Sequence, residues 1–155
     1  MPQQNEMLPN DPDRVITTVR NLRAKREEVF NAWADPALLQ QWWGPKGFTN
    51  TFENFNFTEG GNWKFVMHGP NGGDYKNECI FLKIDKPSLI AWDHISNPVF
   101  KILILLVEKS DTTEVSFNMI FATAEECNKV KGFAPAANEE NFDRLEQLLY
   151  KGAVK

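Results

Sequence analysis

Through the middle of the chain, apolar and polar residues alternate, and the period changes toward both ends. In Asn62 to His68, Trp63, Phe65 and Met67 share one side while Asn62, Lys64 and His68 share the other. This is the period of two of a half-buried antiparallel strand. Thr113 to Phe121 repeats it most clearly, with Val115, Phe117, Met119 and Phe121 set against Glu114, Ser116 and Asn118. Tyr75 to Asp85, Leu89 to Ile95 and Phe100 to Glu108 carry the same signal, and Arg14 to Arg20, rich in β-branched residues, gives a sixth strand. Gly60-Gly61 and the stretch His68 to Gly73 mark turns. The uninterrupted apolar run Ile102 to Val107 has the length of a buried strand and is far too short to cross a bilayer.

Helical spacing takes over on either side. Within Ala24 to Ala34, Val29, Phe30 and Trp33 recur at helical intervals, and Asp35-Pro36 then offers an N-cap with proline at the first position of a second short helix. In that helix Leu38, Leu39, Trp42 and Trp43 form one apolar face, which Gly44-Pro45 ends so that the chain can leave as a strand. Toward the C-terminus, Thr123 to Glu126 has the form of a capping box, and Gly132 can end the segment it opens. From Asn138 to Lys151 a long helix carries Phe142, Leu145, Leu148 and Leu149 as one stripe, with Glu139, Glu140, Asp143, Arg144 and Glu146 directed elsewhere. The acidic pairs Glu125-Glu126 and Glu139-Glu140 are both expected to open helices and to meet the positive end of the helix dipole. One amphipathic helix is left to cover a sheet with an aromatic inner face. The expected fold is therefore α+β, a curved antiparallel sheet folded around the C-terminal helix, with two short helices after the first strand.

Composition narrows the function. A chain of 155 residues suits one domain, expected over 14–152 behind a polar, partly disordered lead-in over 1–13. Lys plus Arg number 17 against 21 for Asp plus Glu, so the basic excess of a nucleic-acid binder is missing and no nucleic-acid partner is expected. The N-terminus has neither a positively charged start nor an apolar run, which points to the cytoplasm and to no membrane association. Cys79 and Cys127 are far apart and lack ligand spacing, so they read as reduced, inert thiols. No metal site, cofactor loop or nucleophile motif is present, and no catalytic residue is assigned.

Chemistry is expected in the interior instead. The bulky inward residues Trp43, Phe65, Met67, Phe81, Trp92, His94, Phe117, Met119, Phe142 and Leu145 are candidates to line a cavity, because so many large groups facing one helix are hard to close-pack. Taken singly, each reads first as plain core, since large apolar side chains are buried by default, and the cavity expectation rests on the set. His94 shares the inward face with Trp92 and is the one nominee for an acid/base or ligand-anchoring role, against the alternative of a core-edge histidine bonded to backbone.

A longer pattern also stands out. Ala24-x-x-Glu27-x-Val29-Phe30-x-Ala32-x-x-Asp35-Pro36-x-x-Leu39-x-x-Trp42-Trp43-Gly44-Pro45 is followed by Gly60-Gly61-x-Trp63-x-Phe65-x-Met67-x-Gly69-Pro70-x-Gly72 and then by Thr113-x-Val115. Together these motifs resemble the START-like (birch-pollen-allergen-like) superfamily, and within it the group similar to the C-terminal domain of the activator of the ninety-kilodalton heat-shock chaperone ATPase. The resemblance implies a helix-grip fold, with about six to seven strands wrapped around the terminal helix and a hydrophobic cavity between them. It implies a module that binds a small hydrophobic or amphipathic molecule, with a chaperone co-factor role or a cyclase- or hydrolase-like enzyme as alternatives. A chaperone is the candidate protein partner, and the chain is expected to be a monomer or homodimer. Cys79, Ala137-Asn138 and Asn56 depart from the family pattern, where glycine, a Gly-Trp pair before the final helix and aspartate are common.

Overall fold

A seventh strand joins the six that the alternation predicts. The computed structural model describes residues 8–154, with side chains as far as Tyr150. Strand β1 (Val15–Leu22) leads into helices α1 (Arg26–Ala34) and α2 (Pro36–Trp42). Strands β2 (Thr49–Phe55), β3 (Asn62–His68), β4 (Asp74–Asp85), β5 (Leu89–His94), β6 (Phe100–Glu108) and β7 (Thr113–Ile120) follow, then helices α3 (Ala124–Val130) and α4 (Ala134–Val154). The added strand is β2, an edge strand of sequence TNTFENF whose polar residues fall on both faces, so it carries no period-two signal.

Consecutive strands from β2 to β7 pair antiparallel, and β1 returns beside β7 to give the order β1-β7-β6-β5-β4-β3-β2. The register slips between Phe52 and Asn54 and again between Phe81 and Lys83, irregularities of the kind that sharpen the bend of a sheet. The bent sheet turns its aromatic face toward α4. Alternation places Ile90 and Trp92 in the main core, while Leu89 and Ala91 join Leu103 and Ile120 in a second cluster on the outer face, with Leu8 packed against it. The apolar run in β6 thus has a reason: Ile102, Ile104 and Leu106 fill the inner core and Leu103 the outer cluster. Of the lead-in expected over 1–13, residues 1–7 lie outside the described residues, and Pro12–Arg14 form a 3-10 turn.

The caps follow the chemistry of their residues. Asp35 Oδ1 accepts from the Ala37 amide at 2.9 Å, and Thr123 Oγ1 from the Glu126 amide at 3.1 Å. Two local expectations are corrected. Trp43 does not extend the apolar face of α2; it is the C-cap, with extended backbone at φ −68° and ψ 132°. Helix α4 begins at Ala134 rather than Asn138, and the amide of Ala137 already donates to the Phe133 carbonyl at 3.1 Å. Pro135 is tolerated there because amides of a first helical turn have no partner within the helix. Glu139 and Glu140 accordingly sit past the first turn, away from the dipole end they were expected to meet. Glu139 instead joins Asp143 and Glu146 around the Arg20 guanidinium, at 2.6, 3.0 and 3.1 Å. Burial works against that charge, yet the three carboxylates hold the Arg20 guanidinium above its ordinary value.

Candidate functional site

Four side chains grip the turn after α2. Arg144 on α4 donates through Nη1 to the carbonyls of Trp43, Gly44 and Pro45 at 3.2, 2.8 and 3.0 Å, and through Nη2 to that of Gln41 at 3.0 Å. Asn141 Oδ1 accepts from the Gly44 amide at 3.1 Å, and Glu140 Oε1 from the Lys46 amide at 3.1 Å. Asn50 on β2 donates to the Trp43 carbonyl at 2.8 Å. Gly44 is required at the centre: its φ is +102°, and a Cβ would come within 2.8 Å of Met67 Cε. The grip projects Trp43 into the space between sheet and helix, where its ring meets Trp42, Trp63, Trp92 and Phe117 at centroid distances of 5.5, 5.6, 5.7 and 6.2 Å.

These rings do not fill the interior. A cavity of about 160 Å³ lies between the sheet and the first turns of α4. Of the candidate residues, Trp43, Phe65, Met67, Trp92, His94, Phe117 and Met119 stand on its wall. Phe81, Phe142 and Leu145 are instead buried in solid core and do not line it. Phe142 fits edge-on against Trp33 and Phe117, while Phe81 lies among Phe55, Phe57, Trp63 and Trp92.

Several wall residues were missed. Trp63, Asn77 and Cys79 were legible from parity, since they alternate in step with Phe65 and Phe81. Phe100 and Ile102 share the inner parity of β6, and Gly44 and Pro45 enter only because the turn folds back. Asn138 and Asn141 continue the Phe142–Leu145 stripe one turn upstream, and a polar break in an apolar stripe was the available signal. Asn138 Nδ2 donates to Thr18 Oγ1 at 3.3 Å and lies 3.5 Å from Met119 Sδ. The wall is therefore aromatic and thioether with a few amides. Cys79 and Ala137-Asn138, two of the three departures from the family pattern, all stand on it, and Ala137-Asn138 lies within α4 rather than before it.

His94, Asn77 and Cys79 have the residue types of a thiol hydrolase, but their geometry is different. His94 is 7% exposed, with Nδ1 2.8 Å from the Pro98 carbonyl oxygen and Nε2 2.7 Å from Asn77 Oδ1, and its ring stacks on Phe100 at 4.6 Å. Neither ring nitrogen is turned to Cys79. Burial pushes the Cys79 thiol up, with Glu78 and Asp93 adding to the effect, so no thiolate forms near neutrality. Burial also lowers the His94 pKa, against the opposing pull of the Pro98 and Ser96 carbonyls.

That shift fixes a sign. Below the ordinary value of 6.5 the unfolded chain takes up a proton at His94 that the folded chain declines, so stability falls as the pH drops through this range. Urea titrations at pH 7.5 and pH 5.5 are expected to show a larger loss for the protein than for His94→Gln. Equal losses would show that His94 is not the group responsible.

Set beside known proteins, the chain matches the family described as Activator of Hsp90 ATPase homolog 1-like protein over residues 23–150. The chain belongs to that family. The match runs from the end of β1 to the end of the described side chains, and so includes every wall residue of the cavity. Solved structures share the family fold. A protein from Nitrosomonas europaea superposes with a TM-score of 0.85 at 20% identity, covering 94% of this chain and 99% of that one. A protein from Arthrobacter aurescens gives 0.84 at 22%, covering 92% and 90%. An AHSA1-like protein from Aeromonas hydrophila gives 0.72 at 14%, covering 91% and 95%. No curated protein matches the chain. Among the described residues no helix is long and apolar enough to cross a membrane.

Proposed function

We propose that this family member is a binding module whose cavity encloses a small, largely apolar molecule. The observation that carries the reading is the void of about 160 Å³ under Trp43, walled mostly by aromatic rings and thioethers, with three amides, the Cys79 thiol and the His94 imidazole as its polar groups. An interior packed at ordinary density leaves no such space, and an apolar void of about 150 Å³ is enough for benzene. The size limits the guest to a single ring or a comparable chain. Two buried, unpaired thiols support a reducing, cytoplasmic setting.

The test is native mass spectrometry of freshly purified protein together with an NMR titration with benzene. Binding is expected to perturb the amides around Trp43, Trp92 and Phe117. Ala137→Leu, which fills the cavity from α4, is expected to weaken benzene binding at least ten-fold and to change stability by less than about 1 kcal/mol. Unchanged binding in that variant would place the guest elsewhere. The family description favours a second reading, association with Hsp90. Calorimetric titration with Hsp90 separates the two, since micromolar affinity that survives Ala137→Leu would support the chaperone role.

A further inference from the structure

The polar end of the cavity holds an arrangement that a neutral imidazole cannot satisfy. His94 Nδ1 faces the Pro98 carbonyl oxygen at 2.8 Å, and Nε2 faces Asn77 Oδ1 at 2.7 Å. Both partners are acceptors. The Asn77 amide cannot simply turn over, because its Nδ2 donates to the Tyr75 carbonyl at 2.9 Å and a reversed amide would set oxygen against oxygen there. A neutral imidazole carries one N–H, so in either tautomer one contact brings two lone pairs together. The imidazolium satisfies both contacts, but it is a buried charge and needs a counter-charge.

None of the described groups around it provides one. On β5, Asp93 lies on the opposite side of the strand from His94 and pairs with Lys101 at 3.2 Å. On β4, Glu78 has the outward parity and accepts from Asn62 at 2.9 Å, while the Cys79 thiol, opposite His94 in register, is protonated. Phe100 of β6 covers the ring face. Across the cavity β3 contributes Phe65 and Met67, β7 contributes Phe117 and Met119, and α4 contributes Asn138 and Asn141, all neutral. The carboxylates of α4 are committed elsewhere, Glu139, Asp143 and Glu146 to Arg20, and Glu140 to the Lys46 amide.

We propose that the cavity takes a ring-sized organic acid, whose carboxylate accepts the Nε2–H of His94 in place of the Asn77 amide oxygen. His94 gains a proton as the anion enters, so a neutral site becomes a buried ion pair, and the aromatic wall holds the ring. The inference rests on reading the cavity as a ligand site, and it adds the charge of the guest and the residue that selects it.

Benzoate and its neutral counterpart benzamide serve as probes in calorimetric titrations at pH 7.5, run in buffers of different ionisation enthalpy. Benzoate is expected to bind at least ten-fold more tightly than benzamide, with uptake of close to one proton. His94→Gln and Asn77→Asp are each expected to remove that preference, the first by deleting the cation and the second by supplying a resident carboxylate. A cooperative urea transition and an unchanged far-ultraviolet circular dichroism spectrum show that each variant still folds. Should benzamide bind while benzoate binds no better or takes up no proton, the acid preference is overturned and the cavity reading stands. Should neither probe bind, both fall.

Discussion

Arg144→Ala is expected to destabilise the protein by about 3 kcal/mol, because charge-assisted hydrogen bonds to several carbonyls are lost together and partly buried acceptors are left without a donor. For a chain of this size that is a fall in Tm of about 6–12 °C. Asn50 and the Phe48 amide still serve the Trp43 and Pro45 carbonyls, so the carbonyls of Gly44 and Gln41 lose most. Arg144→Lys is expected to recover less than half of the loss, since an ammonium cannot span carbonyls on both sides of the turn as a planar fork does. Because the grip positions Trp43, the same variant is expected to weaken benzene binding. A urea midpoint within experimental error of the unsubstituted protein would show that α4 does not hold the turn through this residue.

Trp63→Ala carries the other large effect, expected at about 4 kcal/mol, within the range for emptying a buried aromatic site. Trp63 is fully buried, and its ring meets Trp43, Phe52, Phe55, Phe65, Phe81 and Trp92. The lost volume adjoins the cavity, so the variant is expected to accept a larger guest than benzene while unfolding more readily. Trp63→Phe is expected to cost far less, about 1–2 kcal/mol, because the indole Nε1 is buried without a partner and its removal relieves that penalty. Equal destabilisation by Ala and Phe, measured by urea unfolding, would mean that the nitrogen is satisfied in solution.

The two ends of the site differed in how legible they were. Strand parity placed Phe65, Met67, Trp92, His94, Phe117 and Met119 on the inward face, because a strand offers its side chains only two directions. The same parity sent Phe81 inward without saying whether it would meet a void or a neighbour. Phe55, Phe57 and Trp63 close around it and make it core. Phe142 and Leu145 were read correctly as the buried stripe of α4, but the cavity lies a turn earlier, where Asn138 and Asn141 interrupt that stripe. Strand β2 left no trace in the alternation because an edge strand with polar residues on both faces has no face to distinguish.

Local chemistry along the chain determined the α+β class, six of the seven strands, the caps at Asp35 and Thr123 and the sidedness of α4, since each depends only on neighbours in sequence. The closing of the Trp43-Gly44-Pro45 turn by Arg144, and the meeting of His94 with Asn77, were decided by the tertiary structure alone. The first joins groups about a hundred residues apart and the second joins adjacent strands through one amide. No periodicity encodes such distances, which arise only when the bent sheet has closed on its helix.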